Sequence, residues 1–483
     1  SVVKDTCLEA IKPCRRYLLE NGFASEKKGK FTKHSKALQK HLADNFTDYI
    51  KFSDTSWKNF QKKYSMTKEH VLELFSSKNM EERMQQDFYG TISVSSDVLE
   101  ECPKSEEIAN WLEYMALEKT LSTYIPRLER VSMIYCPYRN LKETGRTSSH
   151  VSEKFPSLNI QQMPRTGGLR ECFIPRSGYL LATIDYASIE LLCVAYTMKE
   201  LFGESEMWNL INSGDKPIDL HAYVGAALYA ADLQKSDNFV DFCKLKVSDP
   251  PLYKRYRDRG KPIGLGFFGG LGEETMVLVA RSQGVSMSLS DAKEGRKTHA
   301  RLFPEIIRYL GWRRGRDGDQ HPQRFEKGWV RAQQFKPTKY GYGYETPGAS
   351  VAASGKPYAE TPGGRYRAGC TYCSCANGRS MQSLAADGLK RALFYCLRAC
   401  YDPNFLGGYL NDCGVVAEIH DEIIFEIPDT NQAKAKLREF ERLMIKGKCD
   451  ILVGMRVVVE GALMKFWSKD ENNHIYSEKY WEN

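Results

Sequence analysis

The apolar pattern is most informative in two short stretches. Residues 179–196, YLLATIDYASIELLCVAY, open as an unbroken β-compatible run from Tyr179 to Ile184, stop at Asp185, and read as a helix from about Ser188 onward. Residues 415–427, VVAEIHDEIIFEI, are apolar on both sides of a polar centre, His420-Asp421-Glu422, which predicts two short strands joined by a tight turn. Helical spacing recurs at Ile108, Trp111, Leu112, Met115 and Tyr124, with Ser105 as cap and Glu106 and Glu107 in the first turn. It recurs again within 377–400, at Met381, Leu384, Ala385, Ala392, Leu393, Cys396 and Cys400. Residues 1 to about 130 read as helical. From 311 to 364 the periodicity is weak, and Trp312, Phe325, Trp329, Tyr340, Tyr342 and Tyr344 alternate with basic residues. That span reads either as a stacking surface for a single strand or as an inserted loop.

A chain of 483 residues is too long for one core and predicts two to four units. With 42% hydrophobic and 12% aromatic residues it is globular. Lys and Arg number 69 against 61 acids, a net charge of +8, which permits nucleic acid as a partner without requiring it. Lys27, Lys28, Lys30, Lys33, Lys36 and Lys40 form a basic group that reads equally as a solvated face or as a contact to phosphates. The 14 cysteines are scattered, and Cys370, Cys373 and Cys375 lack a fourth ligand at metal-like spacing, so neither structural zinc nor disulfides are expected. No signal core and no run near the ~18 apolar residues of a membrane span is present, so a soluble, cytoplasmic protein with no membrane partner is expected.

Asp185 stands where a buried strand runs out, and a carboxylate there is costly unless it caps a helix, finds an ion pair or binds a metal. A second acid pair, Asp421 and Glu422, on a neighbouring strand gives two aspartates able to hold two Mg²⁺ ions for in-line phosphoryl transfer. In 252–272, LYKRYRDRGKPIGLGFFGGLG, residues Arg257, Lys261 and Leu265 share one face if helical, and two cations there can clamp a triphosphate. Propensity argues against a plain helix: Pro262 removes a hydrogen bond, and Gly260, Gly264 and Gly266 each cost up to about 1 kcal/mol. A Gly-rich phosphate loop is the alternative, but no GxxxxGK[ST] is present.

Taken together, these stretches resemble motifs A (around Asp185), B (Arg257 to Gly266) and C (around Asp421) of the family A DNA polymerases, closest to the phage-encoded members. The resemblance runs from about Asp97 nearly to the C-terminus. It implies an α+β right-hand polymerase fold with thumb, palm (antiparallel sheet) and fingers. The expected layout is a mostly helical thumb region at 1–150, palm with motif A at 151–225, fingers with motif B and the Gly/Tyr/Arg-rich insertion at 226–365, and palm with motif C at 366–483.

The resemblance also implies roles for individual residues. Asp185, Asp421 and the Tyr186 carbonyl hold two Mg²⁺, with Glu422 in support. Lys261 is general acid to the leaving pyrophosphate, and Arg257 and His221 (in Asp219-Leu220-His221) lie on the phosphates. Glu190 is the steric gate against a ribose 2′-hydroxyl, Arg170 lies near the nucleotide, and Arg146 (in TGRTSS, 144–149), Gln382 and His420 contact DNA. Two positions depart from the family: Leu265 stands where relatives have Phe or Tyr, and Gly269 where bacterial members have Tyr. Without a hydroxyl, Leu265 implies discrimination against dideoxynucleotides. Primer–template DNA and dNTPs are the expected partners. No Asp-x-Glu strand pattern precedes the helical segment at 105–124, so no 3′→5′ exonuclease activity is expected of this chain, and the sequence leaves open a separate exonuclease or processivity factor as partner. The competing readings are a single-subunit RNA polymerase, which Glu190 opposes, and a non-catalytic primer–template binding protein, which the presence of both aspartates opposes.

Overall fold

The computed structural model describes residues 2–482, apart from 104, 130, 141, 143, 165–167, 216, 270 and most of 311–380. Within that last span only the backbone segments Trp312–Arg314, Gln320–Pro322, Gln334–Thr338, Gly341–Glu345, Ala359–Glu360 and Tyr366–Arg367 are described. The aromatic side chains of the stacking reading and Cys370, Cys373 and Cys375 lie outside the described residues. The chain divides into two compact units, 1–132 and 133–483. Among the described residues no helix is long and apolar enough to cross a membrane.

The first unit is helical but not throughout. After helix α1 (Val2–Glu20) comes a hairpin of β1 (Ala24–Lys27) and β2 (Lys30–Lys33). It closes on Lys28 and Gly29, both at positive φ, the geometry of a tight two-residue hairpin turn. Four-residue strands full of lysine carry too little alternation to be read from sequence. Lys33 does not stay solvated: it pairs with Glu118 at 2.8 Å and lies over the Tyr114 ring. Helix α2 (Glu106–Lys119) is capped by Ser105, whose hydroxyl accepts from the Ile108 N–H at 3.3 Å. Leu38, Leu42, Trp57, Phe88, Trp111 and Tyr114 are the centre of this unit's own core.

The second unit is built on a five-stranded antiparallel sheet. A small pairing of β3 (Tyr138–Arg139) with β4 (Ser148–Ser149) precedes it in the chain. The sheet strands are β5 (Tyr179–Tyr186), β6 (Gly414–Ile419), β7 (Glu422–Pro428), β8 (Val458–Met464) and β9 (His474–Trp481), in the order β6-β7-β5-β8-β9. β5 is central and buried on both faces, which is why its sequence is a continuous apolar run rather than an alternation. Helix α3 (Ile189–Phe202) leaves the end of β5 through Ser188, at φ 52.

Helices α4 (Leu220–Asp232) and α5 (Pro250–Phe268) pack on each other. The doubt that propensity casts on α5 is corrected: it is one continuous helix with Pro262 inside it. One glycine from each helix is a packing device: a Cβ on Gly260 of α5 would collide with the His221 carbonyl oxygen, and one on Gly225 of α4 with the Tyr256 carbonyl. Close backbone approach to α4 supplies the burial that outweighs poor propensity. Helices α6 (Leu289–Leu302), α7 (Ser383–Tyr401) and α8 (Ala433–Cys449) follow along the chain. α7 and α8 pack together, and α8 covers one face of the sheet, with Phe440 stacked on Phe425 of β7 at 4.1 Å.

Candidate active site

Register assembles the acids. Asp185 lies directly opposite Glu422 of β7 on one side and Glu460 of β8 on the other. Residues directly opposite in antiparallel strands project to the same face, so three carboxylates stand in a row across three strands. Asp421 follows His420 in the two-residue turn between β6 and β7, where His420 takes φ 59 and is exposed. Burial first, and then the neighbouring Glu422, push the Asp185 carboxyl up to about 6, while Lys469 works against the rise.

Each acid of the row has a basic partner from elsewhere in the chain. Lys469 lies 2.8 Å from Glu422 and 3.6 Å from Asp185. Lys479 of β9 pairs with Glu460 at 2.5 Å. Arg146 lies 2.9 Å from Glu190 and 3.6 Å from Asp421. Its loop is pinned to β6: Thr147 donates to the Glu418 carboxylate, and the Tyr138 hydroxyl donates to the Glu418 carbonyl at 2.8 Å. Thus Arg146, read as a DNA contact, here faces the residue read as the steric gate. Burial raises the Glu190 carboxyl, and Arg146 moderates the rise.

The basic wall comes from α4 and α5. Asp219 caps α4, its Oδ1 accepting from the His221 and Ala222 N–H groups at 3.0 and 3.1 Å. Its Oδ2 accepts from Arg257 Nε at 2.8 Å, so one carboxylate both starts α4 and aims Arg257. Burial acts to raise the Asp219 carboxyl, but the Arg257 hydrogen bond and charge outweigh it and hold it below its usual range. Burial, with Arg257 and Lys261 adding, pushes His221 down to about 4, so it is neutral at physiological pH, and its buried Nδ1 has no hydrogen-bond partner. A cleft of about 450 Å³ brings these groups opposite the acids: Asp185, His221, Arg257, Lys261, Glu460 and Lys479 are among its lining residues.

Other residues singled out from the sequence lie as follows. Tyr186 lines the cleft and buries its ring, the hydroxyl donating to the Met444 carbonyl at 2.7 Å. Leu265 is half-buried against the core of this unit and does not line the cleft. Gln382 stands half-buried immediately before α7. Arg170 does not line the cleft either: it is buried, donates to the Met163 and Pro164 carbonyls at 3.0 and 3.1 Å, and stacks 4.4 Å from the Trp467 ring centre.

Sequence reasoning did not single out Asp219 as a site residue, although an Asp before a helical run is a readable cap. It missed Glu460, whose only mark in the sequence is the strand pattern of 458–464, and Lys469 and Lys479, which lie beyond that strand. Among the described residues no three His, Cys, Asp or Glu side chains converge closely enough to enclose a metal ion.

The fold is that of a polymerase. The structure is similar to the POL domain of Pol1 from M. smegmatis, solved in complex with DNA primer-template and dNTP, with a TM-score of 0.52 and 17% identity over 96% of this chain and 65% of that one. More narrowly, the model of DNA polymerase family A matches residues 30–311, over half of the chain, and the chain belongs to that family. The match ends before the hairpin of Asp421. Among curated relatives, DNA polymerase I of Rhizobium leguminosarum is 24% identical over 360 residues, 72% of this chain and 29% of the relative. DNA polymerase I of Helicobacter pylori (strain J99) is 28% identical over 209 residues, 41% of this chain and 19% of the relative. The thermostable DNA polymerase I of Thermus filiformis is 24% identical over 341 residues, 68% and 33%. The chain thus spans roughly a fifth to a third of the length of these relatives.

Proposed function

We propose that this chain carries out template-directed DNA synthesis, adding dNTPs to a primer 3′-hydroxyl. One observation carries the reading: Asp185 stands beside Glu422 at the head of a cleft whose other wall is His221, Arg257 and Lys261. An acid edge facing a cationic helix is the arrangement that moving a phosphoryl group between two anions requires. The proposed layout is thumb at 1–150, palm at 151–225 and 366–483, and fingers at 226–365.

The residues present fit Mg²⁺. All the donors are hard oxygens, and the buried Glu422 Oε1 has no hydrogen-bond partner. Because few side chains converge, the cation's remaining positions fall to water and substrate phosphate, as is usual for Mg²⁺. Asp185 and Asp421, with the Tyr186 carbonyl, would hold two such ions, which when bound lower the pKa of the primer hydroxyl and neutralise charge on the triphosphate.

The chain's own groups do the rest. Arg257, aimed by Asp219, and neutral His221 bind the phosphates, and Lys261 gives a proton to the leaving pyrophosphate. Glu190 fills the space of a 2′-hydroxyl. On binding primer–template, Arg146 leaves Glu190 and Asp421 for acceptors on the terminal base pair, with His420 and Gln382 alongside the DNA. Leu265 and Arg170 act on the nucleotide only through the packing of α5 and of the Trp467 loop. The compartment expected for such an enzyme is the cytoplasm, of the host cell if phage-encoded.

Primer extension by the wild type beside Asp185→Asn, with dNTPs and separately with rNTPs, tests the reading. Extension with dNTPs, lost in the variant, is expected. Extension with rNTPs alone would favour the RNA polymerase, and none at all the binding protein. Glu190→Ala is expected to raise the rNTP-to-dNTP ratio about 10–10²-fold.

A further inference from the structure

Lys469 is carried on a loop the fold holds firmly. Trp467 is buried, its backbone N–H donates to the Phe173 carbonyl at 2.9 Å, and its ring meets Phe173 edge-on and Arg170 face-on. Ser468 is buried too: its N–H donates to Met464 Sδ at 3.3 Å, its hydroxyl accepts from Asp470 N–H at 3.1 Å, and its carbonyl meets His474 Nε2 at 3.1 Å. From this anchored turn the Lys469 ammonium reaches the row of acids, 2.8 Å from Glu422 Oε2 and 3.6 Å from Asp185 Oδ2. Glu422 is 3% exposed, and among the described residues Lys469 is its ion-pair partner. Two carboxylates facing each other across adjacent strands repel, and a buried one without a partner is strongly destabilising. The Lys469 ammonium lies where it offsets that repulsion.

We propose that Lys469 is a built-in placeholder cation: it holds the Asp185–Glu422 pair in position, and competes with the divalent cation for Asp185. This rests on the metal-site reading above. The two cations share a ligand of limited charge, so each weakens the other's hold, a coupling that is reciprocal. Arg146 stands in the same relation to Asp421, 3.6 Å away, but is shared with Glu190. Lys469 therefore sets how much divalent cation the site needs before substrate arrives.

The experiment is Mn²⁺ binding without nucleotide or DNA, read from the electron paramagnetic resonance of free Mn²⁺, together with thermal melts in EDTA and in Mg²⁺. Lys469→Met is expected to bind Mn²⁺ about tenfold more tightly than wild type, and Lys469→Arg within about twofold of it. In EDTA, Lys469→Met is expected to melt below wild type, and Mg²⁺ to raise its Tm by more than it raises the wild type's. Equal or weaker Mn²⁺ binding by Lys469→Met, or equal Mg²⁺ shifts in both proteins, overturns the proposal. Should Lys469→Met fail to fold in EDTA, its Mg²⁺-dependent recovery against that of Lys469→Arg reads the same coupling. Asp185→Asn separates the two ideas: Mn²⁺ binding unchanged by that variant sinks the metal-site reading itself, whatever Lys469 does.

Discussion

Asp185, Glu422 and Glu460 lie side by side on one face of the central strands, while Glu441 reaches the other face from α8, beneath Gly461. Glu460 and Gly461 are neighbours in β8, so successive residues of one strand serve the two settings. On the first face the acids repel one another, line or adjoin an open cleft, and are matched by Lys469 and Lys479 from loop and edge strand. On the second, Glu441 is 1% exposed, and burial, with Glu478 adding and Arg438 opposing, lifts its carboxyl to about 7. Both sites raise a carboxyl above its usual range. Glu441, like Glu422, also leaves buried oxygen without a hydrogen-bond partner. Only the first face gathers several acids beside solvent, and that, rather than a shifted pKa or an unpartnered oxygen, marks a place prepared for cations.

The comparison breaks most sharply at the aspartates. Asp185→Asn or Asp421→Asn is expected to lower single-nucleotide addition at least about 10³-fold, ~4 kcal/mol of transition-state stabilisation, with primer–template binding by fluorescence anisotropy preserved. A residual rate within tenfold of wild type would put the metal site elsewhere.

Asp219→Asn is the next largest. The Asn oxygen can still cap α4, but the charged hydrogen bond that aims Arg257 is weakened, so kcat/KM for dNTP is expected to fall about 10–10²-fold, for ~1.5–3 kcal/mol. Steady-state kinetics with an unchanged Tm would assign the loss to aim rather than folding.

On the far face, Gly461→Ala would drive a methyl into the Glu441 carboxylate. A loss of about 2 kcal/mol in urea unfolding is expected, and Glu441→Ala on the same chain should recover part of it. Independent, additive losses would show that the two do not touch.

The smallest effect sharpens the contrast. A carboxyl raised in the folded state binds its proton more tightly there than in the unfolded chain, so Glu441's contribution is full below its unfolded value near 4.5 and is lost as pH rises to about 7. Glu441→Gln is expected to flatten stability across that window and to gain about 1 kcal/mol at pH 8, leaving nucleotide addition unchanged. If activity falls with it, the two faces are not independent.

Much of this molecule is local. The run Tyr179–Ile184 ending in Asp185, the hairpin around Asp421 and the capped helix after Ser105 are legible because strand period, turn and cap are properties of neighbouring residues. The hairpin at Lys27–Lys30 is local too, but its strands are too short to show a period. What the sequence could not settle is what depends on distance. That α5 stays helical through Pro262 is decided by the approach of α4 at Gly225 and Gly260. That Glu460 joins Asp185 is decided by the β5–β8 register, across a separation in sequence that no periodicity spans. The partners of the acids, Arg146, Lys469 and Lys479, follow the same rule: Lys469 in its loop is a solvated charge by every local criterion, and only the folded chain makes it the counter-ion of the buried Glu422. Backbone preference is set within a few residues, whereas electrostatic pairing is set by whatever the fold brings within a few ångströms.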